Sequence, residues 1–494
     1  MPAMPSPGSR RWLRWGLVAG AVVLIAAGVA VAYVLLHSPH NVSNPEVAFS
    51  APTTTTAPKK VVVNNFVWPR YGYDAERTHF FPGANVPEPP LHIGWTFQDF
   101  ALLEFPPVIY ANDLYVMDDD GSAKELDKRT GHKLWETKVG TLAAASPALG
   151  VAQGLMYLSV LSVHGHSPGN GQFVALSMKT GRVVWSKPIP AGTESSPIAF
   201  GNAVYFGDQS GTVYSLNATT GHVNWTFHAS GPVKGGPALS DGVLYFGDYS
   251  GRAYAVKATT GHHVWASNTN GADFGFGSGN FYSTPAVAFG RVYMGNTDGR
   301  VYSFAAKTGQ LAWATGTGAY VYASAAVDNT PGLGPTIYLG SYDGNFYAFN
   351  ARSGAIRWKH PAGGKISGSA TIVGNVVYYS DLATKSTAGL NVVTGHQVFA
   401  FPDGAFTPVI ADYHAVYLDG YGKIYKLLPG RRKAAVAVGA RHRRHHKATA
   451  RRHRRQQRAA ARTHRRHEAA RKRRHRQAHR AAHKAARKVK HSHG

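Results

Sequence analysis

The chain runs to 494 residues, 44% apolar and 12% aromatic, with 55 glycines and no cysteine. Without cysteine there is no disulfide, no thiolate metal site, no cysteine nucleophile and no lipid-modified N-terminal cysteine, so packing has to hold whatever fold forms. The formal charge of +27 would suit a polyanion binder, but residues 431–494 carry 19 Arg and 6 Lys against Glu468 alone, about +24 of it, and the first 430 residues are close to neutral.

Taken in chain order, residues 1–15 form a basic stretch with Arg10, Arg11 and Arg14. GLVAGAVVLIAAGVAVAYVLL, residues 16–36, follows with 21 residues and no charge, long enough to cross a bilayer as a helix. No Lys or Arg appears again until Lys59. The positive-inside bias therefore predicts a signal anchor with a cytoplasmic N-terminus and everything after residue 36 outside. The small-x-small run Ala30-Val31-Ala32 leaves a cleaved signal peptide as the alternative. Residues 37–60, rich in Pro, Thr and Ser, read as an extended linker, and 61–90 as a lead-in segment.

From residue 91 a phrase repeats. Its glycine falls at Gly131, Gly181, Gly221, Gly261, Gly309, Gly354 and Gly395, and four residues after each stands Trp135, Trp185, Trp225, Trp265, Trp313, Trp358 or Phe399. Spacings of 40 to 50 residues with several short strands per unit predict an all-β fold, a β-propeller of four-stranded antiparallel blades. In the unit that begins at Ser196, SPIAF, AVYFGD, TVYSLN and HVNWTF are the strands, with turns at DQSG and ATTG. Each turn glycine is expected at positive φ, and each tryptophan between neighbouring blades. After Phe399 the strands FTPVIA, AVYLDG and KIYKLL lack an outer partner, while LHIGWTF, with Trp95, lacks inner strands. Joined, they make an eighth blade over 91–428 and close the ring, leaving no open sheet edge.

The phrase, in the form AxxxxTGxxxW, resembles the repeat of the pyrroloquinoline-quinone-type propellers, the superfamily of quinoprotein alcohol dehydrogenases and of the outer-membrane assembly propeller lipoproteins. WPRYGYDAERTHFFPGANV, from Trp68, resembles the lead-in those chains carry. The resemblance implies the fold; for the dehydrogenases it also implies a quinone and a calcium ion held in the axial cavity by a carboxylate, an asparagine and a catalytic aspartate, often against a vicinal disulfide. This chain has no cysteine for that disulfide, and no segment carries the calcium ligands over residue by residue. No catalytic residue, cofactor or metal is assigned.

A propeller binds at the mouth of its channel. Blade alignment on the SP, GP, TP and PP pairs puts Glu104, Glu194, Lys234, Tyr282, Tyr322 and Ser367, with Ala144 and Ala405, at the head of the innermost strands. These are the candidate channel-mouth residues; the alternative is a solvated rim. The inserts 159–171 and 268–283, the second with Phe274, Phe276 and Phe281 among glycines, suit recognition loops. His164 with His166 lacks a third metal ligand, and Asp118, Asp119 and Asp120 before Gly121 read as turn chemistry.

Residues 429–494 read as a disordered tail, with 11 histidines and no aliphatic residue beyond alanine in 441–494 except Val489. Such a segment binds polyanions by counterion release; outside the cell its partners would be anionic polymers or lipid headgroups. The sequence thus points to a membrane-anchored, non-catalytic propeller that docks an envelope protein or polymer on its face. The alternatives are a quinone-dependent dehydrogenase and a nucleic-acid binder acting through the tail.

Overall fold

The computed structural model describes residues 41–51, 66–83, 85–165, 167–269, 279–406 and 409–430, together with 20, 23–26 and 28 of the N-terminal apolar run. Residues 431–494, and with them the tail, lie outside the described residues, as does most of 16–36. Among the described residues no helix is long and apolar enough to cross a membrane.

Eight sheets follow one another in the order the repeat dictates. In the unit from Ser196 the strands are Ile198–Phe200, Ala203–Gly207, Thr212–Asn217 and Val223–His228, ordered from the axis outward. The middle strands are buried on both faces and the outermost alternates between exposed and half-buried, because each blade packs its two faces against its neighbours. Phe173 of the second blade and Phe206 of the third stack 4.0 Å apart and nearly parallel. Each such fully buried ring contributes roughly 1.5–3 kcal/mol.

The repeated phrase proves to be a clasp between blades. Gly221 sits at φ 72°, and a Cβ there would lie 2.6 Å from the Trp185 ring of the preceding blade. The Trp185 indole N–H donates to the Ala218 carbonyl at 3.1 Å, three residues before that glycine. The pattern recurs with Trp135 on Gly181, Trp225 on Gly261, Trp265 on Gly309, Trp313 on Gly354 and Trp358 on Gly395. The bulky ring and the missing side chain are two halves of one contact. Phe399 offers no N–H; it packs instead against Tyr378 at 5.6 Å.

Closure follows the sequence expectation. Leu91–Gln98 pairs antiparallel with Lys423–Pro429, and Trp95 clasps Gly131 of the first blade, donating to the Lys128 carbonyl at 3.1 Å. Two ion pairs flank that seam, Lys124 to Asp99 at 2.8 Å and Lys128 to Asp412 at 2.9 Å.

Two segments do more than the sequence suggests. The lead-in winds once around the inside of the channel. Val67–Trp68 pairs with the first blade and Phe80–Phe81 with the seventh. Between them the inner-strand N–H groups of Leu149, Leu239, Val287, Val327 and Ile372 donate, each at 2.8 Å, to the carbonyls of Pro69, Ala75, Glu76, Thr78 and His79. The channel is therefore plugged at that level. Arg77, fully buried in the plug, donates to the carbonyls of Tyr71, Ser196, Pro197 and Pro237, and burial pulls its pKa down to about 9.

Residues 41–51, within the span read as an extended linker, are likewise docked. Val42–Ser43 adds a strand outside Leu311–Gly316 of the fifth blade. Arg291 donates to the carbonyls of Val47 and Ala48, and Phe49 lies 5.7 Å from Phe289. This strap leaves Trp313 with no exposure, whereas Trp185 and Trp225 stay half-buried. Composition argued for a spacer because Pro and Thr dominate; the docking uses backbone, Phe49, and the polar side chains of Asn41, Ser43 and Asn44, which bond to Gly316 N–H and to the carbonyls of Ser353 and Leu311.

Candidate functional site

The loops that enter each inner strand build a belt around the axis. The Ser and Thr of the aligned pairs hold it: Gly236 N–H donates to Thr284 Oγ1 at 3.0 Å, Thr284 N–H to Ser324 Oγ at 2.9 Å and Ser324 N–H to Ser369 Oγ at 2.9 Å. Tyr71 of the lead-in rises from the plug and bonds its hydroxyl to Ser369. Belt and plug together make a blind cup.

All six candidate mouth residues, Glu104, Glu194, Lys234, Tyr282, Tyr322 and Ser367, line this one cavity. Tyr71, Phe105 and Phe406 complete it; the aligned position could not find them, since Tyr71 comes from the plug and the phenylalanines stand off the repeat offset. Ala144 and Ala405 are not among its lining residues.

Lys234 pairs with Glu194 across two blades at 2.7 Å, with its Nζ 4.9 Å from the Tyr249 ring centre. Gln209 also donates to Glu194 at 3.2 Å. Glu104 has no such cation. Burial, and then the Glu194 charge, push its carboxyl up to about 7; burial, then Glu104, Asp118 and Asp120, push Asp119 up to about 8. Tyrosines step along one side of the mouth, Tyr249 to Tyr282 at 6.2 Å, Tyr282 to Tyr322 at 5.6 Å and Tyr322 to Tyr342 at 4.8 Å. Tyr320 stands exposed beside Tyr322 at 6.0 Å, and Phe100 and Tyr421 stand exposed on loops of the eighth blade.

The other motifs resolve simply. Asp118 accepts from Ser122 N–H at 2.8 Å, as the turn reading requires. His166 and residues 270–278 of the aromatic insert lie outside the described residues. Among the described residues no group of three His, Cys, Asp or Glu could hold a metal ion.

A quinone with a calcium ion, as the resemblance implies, would have to enter this cup. Of its two carboxylates one is already paired with Lys234, no asparagine lines it, and among the described residues no group of three His, Cys, Asp or Glu could hold a calcium ion there. The residues present do not fit that group.

Eight four-stranded blades closed by an N-terminal strand around a plugged axis define a propeller of the quinoprotein-type repeat class. Residues 92–205, 192–330 and 323–429 match the family model described as outer membrane protein assembly factor BamB. The chain belongs to that family. No curated protein sequence matches it. Among solved structures it is similar to BamB from Moraxella catarrhalis, at 19% identity and TM-score 0.54 over 68% of this chain and 99% of that one. It is also similar to the quinohemoprotein alcohol dehydrogenase of Comamonas testosteroni, at 13% identity and TM-score 0.60 over 76% and 82%. The computationally designed Ika8 protein matches at 16% identity and TM-score 0.56 over 68% and 98%. At these identities the likeness is one of fold.

Proposed function

We propose that this chain is a non-catalytic scaffold of the cell envelope. Residues 16–36 anchor it in the plasma membrane, the ring docks a partner protein or polymer on its mouth face outside the cell, and the basic tail engages anionic polymers or lipid headgroups. The observation that carries the docking is the mouth face, where Phe100, Tyr320 and Tyr421 stand exposed around a cup with charged walls; exposed aromatics around a polar centre are what interfaces select. The family description, an outer membrane protein assembly factor, supports an assembly role. Four residues, 37–40, separate the anchor from the strap, a reach of roughly 14 Å when extended, so the strap would hold the fifth blade near the bilayer.

The test is an affinity capture from membranes with the full chain, a chain ending at Gly430, and a Phe100→Ser/Tyr320→Ser variant. Capture by the first two and loss in the third supports the reading; capture that follows the tail alone refutes docking at the mouth. The second reading, a quinone-dependent dehydrogenase, is the one the repeat's resemblance leaves open, and the cup's lining speaks against it. Stoichiometric retention of pyrroloquinoline quinone with calcium, and dye reduction with alcohols, would establish it in place of the scaffold.

A further inference from the structure

The charge inventory of the cup does not close. It holds two carboxyls and one lysine, and that lysine is committed to Glu194 at 2.7 Å. Glu104 has no ion pair or hydrogen bond among the described residues, and its charged neighbours are Glu194 and Asp119, both acidic. A half-buried carboxyl in a walled cup, with only acidic neighbours and no cation opposite, is costly unless something supplies one.

The ring faces around it are of the kind that take cations. Two tyrosines of this mouth already do so: Lys234 Nζ lies 4.9 Å from the Tyr249 centre and Lys365 Nζ 5.3 Å from that of Tyr342. Tyr282 and Tyr322, between them in the arc, face each other edge to face at 5.6 Å and line the cup itself. Shape narrows the choice further. The cup is blind, closed below by the plug and by Tyr71 bonded to Ser369, so a ligand can enter it only by one end, with the rest of the molecule outside.

Resting on the reading of the mouth as a docking site, we propose that the cup is a socket for one cationic head group, an alkylammonium or guanidinium such as the end of a lysine or arginine side chain. The head group pairs with Glu104 and is flanked by the rings of Tyr282 and Tyr322. Glu194 is held in reserve by Lys234, and Tyr71 closes the floor. A basic side chain of a partner and one of this chain's own tail, with its 19 Arg and 6 Lys, share that chemistry.

The experiment titrates the purified chain with N-acetyl-arginine amide, n-butylammonium and the neutral isostere N-acetyl-citrulline amide. The two cations should bind at least tenfold more tightly than citrulline amide. Glu104→Gln should remove at least tenfold of the arginine binding, and Tyr322→Leu several-fold, with both variants' melts confirming the fold. Equal affinity for arginine and citrulline amides, no measurable binding of either cation, or a Glu104→Gln variant that binds as well as the parent would overturn the assignment. Repeating the titration on a chain ending at Gly430 separates the sources. All eight described blades are complete by Pro429, so that chain keeps its ring. Tighter probe binding there identifies the tail as the resident basic segment, equal binding leaves the socket to a partner, and both support the socket. If partner capture survives in Glu104→Gln while the probes fail to discriminate, the socket is refuted and the docking face stands.

Discussion

The contact between tryptophan and glycine can be measured in one blade. At Gly261 the backbone has φ 70°, and an added Cβ would lie 2.6 Å from Cε3 and 2.8 Å from Cδ2 of Trp225. Two costs combine in Gly261→Ala. Holding alanine in the left-handed region costs about 1–2 kcal/mol. The ring must also retreat about an ångström to reach ordinary contact near 3.5–4.0 Å. That movement strains or breaks the 2.9 Å bond from Trp225 Nε1 to the Ala258 carbonyl, worth about 1 kcal/mol. The expected loss is about 2–4 kcal/mol. Gly242, in the same blade at φ 74° with nothing within 4 Å, isolates the first cost, so Gly242→Ala should lose about 1–2 kcal/mol. Urea denaturation followed by circular dichroism measures both, and Trp225→Leu combined with Gly261→Ala should cost less than the two singles added, because the clash has gone. A Gly261→Ala loss no larger than that of Gly242→Ala, or strict additivity in the cycle, would refute the clasp.

Removing residues 61–97 takes away both the plug and the outer strand of the eighth blade, so the truncated chain should aggregate or lose its cooperative melt; a truncation as stable as the parent would contradict the closure. Within the plug, Arg77→Met leaves four carbonyl oxygens without their donor and should lower stability by about 3 kcal/mol or more in calorimetry. Both carboxylate oxygens of Asp419 are buried without a hydrogen-bond partner, and burial, then Asp403, Asp99 and Asp119, raise its pKa well above the ordinary value. The folded state therefore holds that proton more tightly than the unfolded one, and its contribution to stability falls as pH rises above about 4, the unfolded value. Asp419→Asn should flatten that decline and gain about 1–3 kcal/mol at pH 8, whereas an unchanged pH profile of the melting temperature would show the carboxyl to be solvated. The tail's charge predicts polyanion binding that falls log-linearly with salt, by on the order of a hundredfold or more between about 50 and 200 mM, tightens below about pH 6.5 as the histidines charge, and vanishes when the chain ends at Gly430. Salt-insensitive binding, or strong preference for one nucleic-acid sequence, would identify a specific reader instead.

What the sequence makes legible is whatever repeats. The Thr-Gly phrase recurs because every blade has to meet the next through the same contact, so Gly181, Gly221 and Gly261 reveal the blade period before any strand is placed. The mouth residues are legible for the same reason. A fixed offset from Pro197, Pro237 or Pro285 lands on the same rung of each blade, and Glu194, Lys234 and Tyr282 do share one cavity. The plug and the strap are aperiodic. Part of their binding is through carbonyls, as Ala75 and Glu76 accept from Leu239 and Val287, and backbone acceptors leave no mark on residue choice; the rest is through Arg77 in the plug and Asn41, Ser43 and Asn44 in the strap, polar residues that read as ordinary loop composition. Their side-chain signals were present but isolated: Trp68 and Phe81, almost wholly buried, sit in what reads as a preamble, and Phe49 sits alone among prolines and threonines.

The electrostatics of the cup were the least accessible part, and the reason is geometric. Glu104, Glu194 and Lys234 occupy equivalent positions on different blades, so the repeat treats them as interchangeable members of a ring. Which carboxylate the lysine neutralises depends on side-chain reach within the folded ring, and the structure gives it to Glu194, on the neighbouring blade, at 2.7 Å. The pairing turns a mixed rim into an asymmetric one, with a neutralised half beside Tyr249 and an acidic half around Glu104 and Asp119. Glu104→Gln should therefore be tolerated or stabilising, since it removes a half-buried carboxyl whose charged neighbours are acidic, whereas Lys234→Met should lower stability by stranding Glu194 beside Glu104, two like charges in one site. Thermal melts of the two variants near neutral pH check that difference in sign, and equal destabilisation by both would mean that the lysine serves the two carboxylates alike.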